Sequence, residues 1–350
     1  MNHAYLKNMR NKCTDWIQEL NDELDELKAN GNDTSAFEKA FRASRGKPFV
    51  FDEGNMRSLH FDQRMMQSAM WIDAPNELAF GYTKAMMGFL LVKDEPKHIL
   101  MIGLGGGSLA KYCHRHLSDT RTTVVEIDAN VIALRDQFLI PRDDERLKIV
   151  HMDAVKFVEQ STETYDVILL DGFDADGLVS DLLGDEFIHS CHQKLDQDGI
   201  LVANIWGKSK TLISAVSRMS HIFNDPVWWC HSSDSYNLLT FAFKSDCNTF
   251  HENLQEKAKA LDSLYKLELP HLANRVRRIS KRGLDWAVAP SHIRFNLKKF
   301  FFQEAIEKKV AYFYALDEML ALTNRSWLGS HQVFKGQGIG EGISRAIQPV

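Results

Sequence analysis

The stretch at residues 98–109, His-Ile-Leu-Met-Ile-Gly-Leu-Gly-Gly-Gly-Ser-Leu, constrains the fold of this chain more than any other. Residues 98–102 form an apolar run with the length of a parallel strand buried on both faces, and the run stops at Gly103, Gly105, Gly106 and Gly107. A helix is expected at once, because Leu109, Tyr112, Cys113 and Leu117 share one helical face. A glycine turn joining a strand end to a helix start leaves backbone N–H groups free to face a ligand. A second apolar strand, at residues 122–127, ends in Glu126 and Asp128. In a doubly wound sheet an acid at that point lies beside the glycine turn and accepts the hydroxyl protons of a ribose.

The glycine spacing narrows the nucleotide. A dinucleotide turn calls for Gly or Ala at position 108, where this chain has Ser108, whereas glycines at 103, 105 and 107 suit an adenosyl ligand without a pyrophosphate. S-adenosylmethionine or its decarboxylated form is therefore expected, held by Gly103, Gly105, Gly107 and Glu126.

Strand and helix then alternate. A helix is expected at 131–138, a strand at 147–152 ending in Asp153-Ala154, and a strand at 165–170 ending in Asp171. Ligands of open α/β sheets bind outside the carboxyl ends of the strands, so Glu126, Asp153 and Asp171 should converge on the ligand. The loop that follows, Gly-Phe-Asp-Ala-Asp-Gly at 172–177, is too rich in carboxylates to be buried without a cation. At 4 Å and an effective dielectric of about 20, one carboxylate attracts one ammonium by roughly 4 kcal/mol, which points to an amine substrate. Helices at 186–195 and 210–222 flank a strand at 199–205, and 227–229 with 237–243 give the sheet an antiparallel-looking end.

Upstream, apolar residues three or four apart from Leu6 to Leu27 mark a helix, and Ser35 with Glu38 is a capping-box pattern opening a second. Both read as packing or dimerisation elements. Residues 48–72 shift to a period near two, with Asp52-Glu53-Gly54-Asn55 as a turn, and predict a small β-hairpin or three-stranded sheet. A helix over 76–91 leads into the first core strand, placing Gln67 and Tyr82 to overhang the glycine turn. Downstream, helices are expected at 254–265, 272–279 and 298–322, and the glycine-rich end of the chain reads as an irregular terminus.

Composition excludes several classes. The 350 residues suit about two domains, and 44% hydrophobic with 25% charged residues is soluble globular usage. A net charge of −5 disfavours a general nucleic-acid binder, and no segment approaches the length of an uncharged membrane span. The five cysteines are scattered, with no Cys-x-x-Cys pair, and read as reduced thiols of a cytoplasmic protein with no metal site.

Together these residues resemble the spermidine synthase (polyamine aminopropyltransferase) family, in its bacterial spermidine synthase-like branch, over roughly residues 48–245. The resemblance rests on the β-rich part containing Gln67 and Tyr82, the Ile-Gly-Leu-Gly-Gly-Gly turn, Val-Glu-Ile-Asp at 125–128, Asp153-Ala154, and Asp171 with Asp174. It implies a mostly parallel, doubly wound methyltransferase-like sheet preceded by a β-hairpin domain. The expected division is a helical extension at 1–46, a β-hairpin domain at 47–75, the ligand-binding catalytic domain at 76–248 and a helical extension at 249–350. By the resemblance, Glu126 holds the ribose, Asp153 the adenine amino group with the Ala154 backbone beside it, Asp171 orients and deprotonates the attacking amine, and Asp174 binds the acceptor, with Gln67 and Tyr82 on the substrate. The expected activity is aminopropyl transfer from decarboxylated S-adenosylmethionine to a polyamine-type amine, without metal, in a homodimer. One departure stands out: the family's turn places an aspartate that binds the donor's ammonium where this chain has Gly106. That substitution keeps two alternatives open, an S-adenosylmethionine-dependent methyltransferase of the same fold and a non-catalytic adenosyl-ligand-binding protein.

Overall fold

The computed structural model describes residues 34–62, 66–174, 177–178, 180–206, 209–224, 227–235, 237–245 and 253–279. The helices predicted at 6–27 and 298–322 and the glycine-rich end lie outside the described residues. The first described helix, α1 (Thr34–Ser44), sets the Phe37 ring against Phe49, Phe51 and His60 of a three-stranded antiparallel sheet. That sheet is β1 (Phe49–Glu53), β2 (Met56–His60) and β3 (Met66–Trp71). Its first turn is tighter than the sequence suggested: only Gly54, at φ +55°, and Asn55 connect the strands, while Asp52 and Glu53 pair with Arg57 and Met56 across the ladder.

The helix predicted over 76–91 begins at Gly81, as α2 (Gly81–Met86), and tightens into a 3₁₀ turn, Met87–Leu91. Phe80 is extended at its N-cap and offers no side-chain acceptor; the Asp234 carboxylate, distant in sequence, accepts the Gly81 N–H at 2.6 Å instead. Then come β4 (His98–Ile102), α3 (Ser108–His116), β5 (Arg121–Glu126), α4 (Ala129–Ala133), β6 (Leu147–His151), α5 (Ala154–Gln160) and β7 (Tyr165–Leu170). Helix α4 is shorter than the expected 131–138, and the chain after it winds through turns to Leu139 at φ +53°. Within the acidic segment lie two short paired strands, β8 (Phe173–Asp174) and β9 (Gly177–Leu178). They are followed by α6 (Asp185–Lys194), β10 (Leu195–Ile205), α7 (Ser209–Ile222), β11 (Trp228–His231), β12 (Leu238–Phe243), α8 (Leu254–Tyr265), α9 (Leu269–Arg275) and β13 (Arg277–Arg278). Pro270 in the first turn starts α9 earlier than the predicted 272, and Arg277–Arg278, expected as helix, pairs with β11 as an edge strand.

The eight-stranded sheet runs β13-β11-β12-β10-β7-β4-β5-β6, parallel from β10 to β6 and antiparallel beyond. Alternation divides the core: Ile99, Met101, Val124, Val167 and Leu169 face one side, Leu100, Ile102, Val125, Ile168 and Leu170 the other. Helices α8 and α9 cover the first side through Ala258, Leu261, Leu269 and Leu272, and α6 and α7 the second through Ile188, Cys191, Val216 and Met219. Residues 254–279 therefore share this core, and the division expected between 248 and 249 does not coincide with an edge of it. Among the described residues no helix is long and apolar enough to cross a membrane.

Lys111 on α3 is an unexpected core residue, 1% exposed, with its Nζ donating to the Phe138 carbonyl at 2.8 Å. Burial pulls its pKa down to about 8, so the unfolded chain, with an ordinary lysine, binds more protons between about pH 8 and 10.5. Stability from this group must rise with pH across that window and be at its lowest below it. Relative to Lys111→Met, the wild type is expected to gain about 3 kcal/mol between pH 7.5 and 10.5, measured by denaturant unfolding at each pH. Parallel pH profiles for the two proteins would contradict the assignment.

Candidate active site

The sheet order reverses its direction of growth between β4 and β7: β5 and β6 add on one side of β4, and β7 returns to the other. The carboxyl ends of these strands open on one cavity of about 250 Å³, at the switch point where open α/β sheets bind ligands. Gly103, Gly105, Glu126, Asp153, Ala154 and Asp171 all line it, together with Gln67 of β3 and Tyr82 of α2.

The glycines differ in what they do. Gly103 sits at φ +97°, and a Cβ there would lie 2.4 Å from the Asp171 carbonyl oxygen, so the ends of β4 and β7 can meet only through glycine. Gly107 does not line the cavity. At φ +67° it caps α3 against Ile140, which shapes the turn without forming its wall. Gly106 is absent from the positive-φ glycines; space restricts it, since a Cβ would lie 2.8 Å from Ser68 Oγ and 2.9 Å from the buried Phe138 ring. Where the family's turn has an aspartate, a side chain in this chain would therefore crowd Ser68 and Phe138.

Glu126 is almost fully buried at the end of β5. Its Oε2 accepts the Leu104 N–H of the glycine turn at 2.9 Å and its Oε1 accepts the Asp128 N–H at 2.8 Å. Burial raises its pKa, and these two N–H groups act against the rise. Each oxygen keeps acceptor capacity for a ligand hydroxyl. Asp153 caps α5, accepting the Lys156 N–H at 3.0 Å through one oxygen.

On the other side of the turn Asp171 accepts the Asn204 Nδ2–H at 2.8 Å, and Asn204 in turn accepts from Asn237 at 2.9 Å. Burial raises the Asp171 pKa to about 6, against the lowering effect of Asn204. Tyr82 is pushed well above its ordinary pKa by burial and by the charges of Asp171 and Asp234, so it remains a hydroxyl donor. Its ring stacks on Phe80 at 5.7 Å. The backbone of Asp174 lies in β8 beside the cavity-lining Phe173, and its side chain is outside the described atoms.

Sequence reasoning missed Asn204, Asn237, Asp234 and Trp206, all on the cavity wall. Asn204 was within reach, as it stands at the carboxyl end of a parallel strand, where the same rule had found Asp171. The described lining carries five carboxylates, Glu126, Asp153, Asp171, Asp181 and Asp234, and no lysine, arginine or histidine. Among the described residues no group of three His, Cys, Asp or Glu side chains is arranged to hold a metal ion.

The family profile of the spermine/spermidine synthase domain matches residues 79–253. A polyamine aminopropyltransferase from Chromobacterium violaceum is 35% identical over 235 residues, covering 67% of this chain and 90% of that protein. One from Neisseria meningitidis serogroup A is 36% identical over 222 residues, covering 63% of this chain and 84% of the relative. The crystal structure of a probable spermidine synthase from Corynebacterium glutamicum shares the fold, with a TM-score of 0.53 at 20% identity over 60% of this chain and 83% of that one.

Filling of the Gly106 site by Phe138 generates a test. Gly106→Ala is expected to destabilise the protein by about 1–3 kcal/mol, the usual cost of overpacking. In Gly106→Ala/Phe138→Leu, the loss should be smaller than the sum of the two single losses, because the shorter side chain vacates the crowded space. Strict additivity in denaturant unfolding would show that Phe138 does not occupy the site.

Proposed function

The chain belongs to the spermine/spermidine synthase family, and from that premise we propose that it transfers an aminopropyl group from decarboxylated S-adenosylmethionine to a polyamine-type amine. The observation that carries this reading is the charge of the cavity, five carboxylates without a basic side chain among its described lining residues. A donor bearing a sulfonium and an ammonium, and an acceptor bearing ammonium groups, are the ligands such a wall favours; S-adenosylmethionine would bring a carboxylate of its own into the same field. Gly106 in place of an acid is the one feature that favours a methyl donor, and the remaining acids outweigh it.

In this reading Gly103, Gly105 and the Leu104–Glu126 contact seat the adenosine, with the Glu126 oxygens accepting the ribose hydroxyls. Gly107 supports the turn from behind. Asp153 and the Ala154 backbone take the adenine edge, and Gln67 covers the donor from β3. Asp171 removes a proton from the acceptor ammonium. The freed nitrogen lone pair forms a bond to the donor's propyl carbon as the carbon–sulfur bond breaks, its electrons returning to sulfur to leave a neutral thioether. With a pKa near 6, Asp171 is ionised at neutral pH yet basic enough to share the proton. The Tyr82 hydroxyl oxygen accepts an N–H of the reacting amine, leaving the nitrogen lone pair free to attack, and Asp174 holds the acceptor chain. A small-molecule amine as partner, a cytoplasmic location, a homodimer and a chemistry without metal, nucleic acid or membrane complete the proposal.

Incubation with either donor and a set of amines, followed by mass spectrometry, tests it. An amine heavier by one aminopropyl group, from the decarboxylated donor alone, is expected; a methylated amine from S-adenosylmethionine would overturn the reading. Asp171→Asn should lower the rate by about 10²–10⁴ with adenosyl affinity nearly unchanged. The wild-type acceptor kcat/KM should fall below about pH 6, as the base is protonated. Asn204→Ala, which removes a hydrogen bond to the carboxylate, should move that fall to higher pH. An acid limb indifferent to Asn204 would remove Asp171 as its source.

A further inference from the structure

The carboxyl ends of β7 and β10 and the start of β12 lie side by side, with Leu170 opposite Ala203 and Ile205 opposite Leu238. A single file of polar side chains crosses them there. Ser235 Oγ donates to Asn237 Oδ1 at 2.6 Å, Asn237 Nδ2 donates to Asn204 Oδ1 at 2.9 Å, and Asn204 Nδ2 donates to Asp171 Oδ1 at 2.8 Å. Asn204 is 1% exposed, so water does not compete for its amide. Asn237 is also held by its backbone, its carbonyl accepting the Ser232 N–H at 2.9 Å across the neck of the loop between β11 and β12.

All three bonds run the same way, and the direction is set from the Asp171 end. An ionised carboxylate only accepts, so Asn204 must turn its nitrogen toward it. That puts the Asn204 oxygen on the far side, where it needs a donor, and Asn237 supplies one. The Asn237 oxygen is met in turn by a hydroxyl, whose proton can rotate into line. Flipped end for end, the Asn204 amide would set its oxygen against the Asp171 carboxylate and its nitrogen against the Asn237 nitrogen, losing both bonds. Bonds aligned in this way polarise one another, so the donor that reaches Asp171 is strengthened by the donor behind it. The file engages Oδ1 alone; Oδ2 of Asp171 has no partner among the described residues.

We propose that Asn237 is a positioning residue for the transfer reaction: by donating to Asn204 it locks that amide in the one orientation that donates to Asp171, and so presents Oδ2 as the oxygen that takes the acceptor's proton. This rests on the reading of Asp171 as the base and deepens it by naming what orients that base. Asn237 acts through Asn204 and not on the amine. The other titratable groups on the described wall, Tyr82 of α2, Glu126 at the end of β5, Asp153 at the start of α5, Asp181 and Asp234, stand outside the file and are the same in every variant compared.

The test follows the titration of Asp171 in Asn204→Ala, Asn237→Ala and the double variant. It is read from the acid limb of the acceptor kcat/KM and, without turnover, from the carbon-13 shift of the Asp171 carboxyl in ligand-free protein, assigned by its loss in Asp171→Asn. Asn237→Ala should move the titration up by about 0.5–1 pH unit, because Asn204 is no longer held to the carboxylate. Added to Asn204→Ala, it should move the titration no further, since its effect passes through that amide. Should Asn237→Ala fail to fold, Asn237→Asp keeps the size and, once ionised, draws the Asn204 nitrogen to itself; its upward shift should be larger with Asn204 present than in Asn204→Ala. A titration unmoved by either substitution, or a shift of equal size with and without Asn204, would overturn the proposal. If no amine is aminopropylated, the transfer reading fails while the carbon-13 titration still decides Asn237.

Discussion

The approach of the Gly103 α-carbon to the Asp171 carbonyl is the constraint on which the site depends. Because no side chain separates them, the ends of β4 and β7 draw together, and the two halves of the sheet meet with the glycine turn on one side and Asp171 on the other. The turn is then fixed from the opposite strand by Glu126, whose carboxylate holds the Leu104 N–H. The glycine turn and a buried carboxylate are thus parts of one geometry. Neither can shift without disturbing the ladder that runs through Ile102 and Leu170.

Charge is the second organising quantity. Carboxylates removed from water with no basic side chain on the described wall are costly in the ligand-free protein, and the rise in the pKa values of Glu126 and Asp171 expresses that cost. A cationic ligand would reverse it, and in the proposed reading the free energy that the fold sacrifices by gathering these acids reappears as selectivity for positive charge. The core next to the turn is arranged to keep one acid out. Lys111 holds the Phe138 carbonyl, and the Phe138 ring fills the space beside Gly106.

Much of this was legible in the residues themselves. The glycine turn announces itself by punctuation, and Glu126, Asp153 and Asp171 by their place at the ends of apolar runs, because strand period and buried-strand composition are local properties. The parts that escaped are those supplied by tertiary packing. Asp234 delays the start of α2 by accepting the Gly81 N–H, which no pattern within residues 76–91 could reveal. Phe138 and Lys111 meet across a turn whose course follows from the shortened α4. Asn204 ends β10 and Asn237 immediately precedes β12, and the sequence suggested an antiparallel end to the sheet without fixing the register that brings the two together.

The central claim is that the charge of this cavity, and no single residue of the turn, chooses the donor. Titration calorimetry of the wild-type protein with decarboxylated S-adenosylmethionine and with S-adenosylmethionine, at low and at high salt, tests it most directly. The account predicts tighter binding of the decarboxylated donor despite Gly106, with a margin that narrows at high salt without changing sign. Equal affinities, or tighter binding of S-adenosylmethionine, would contradict it.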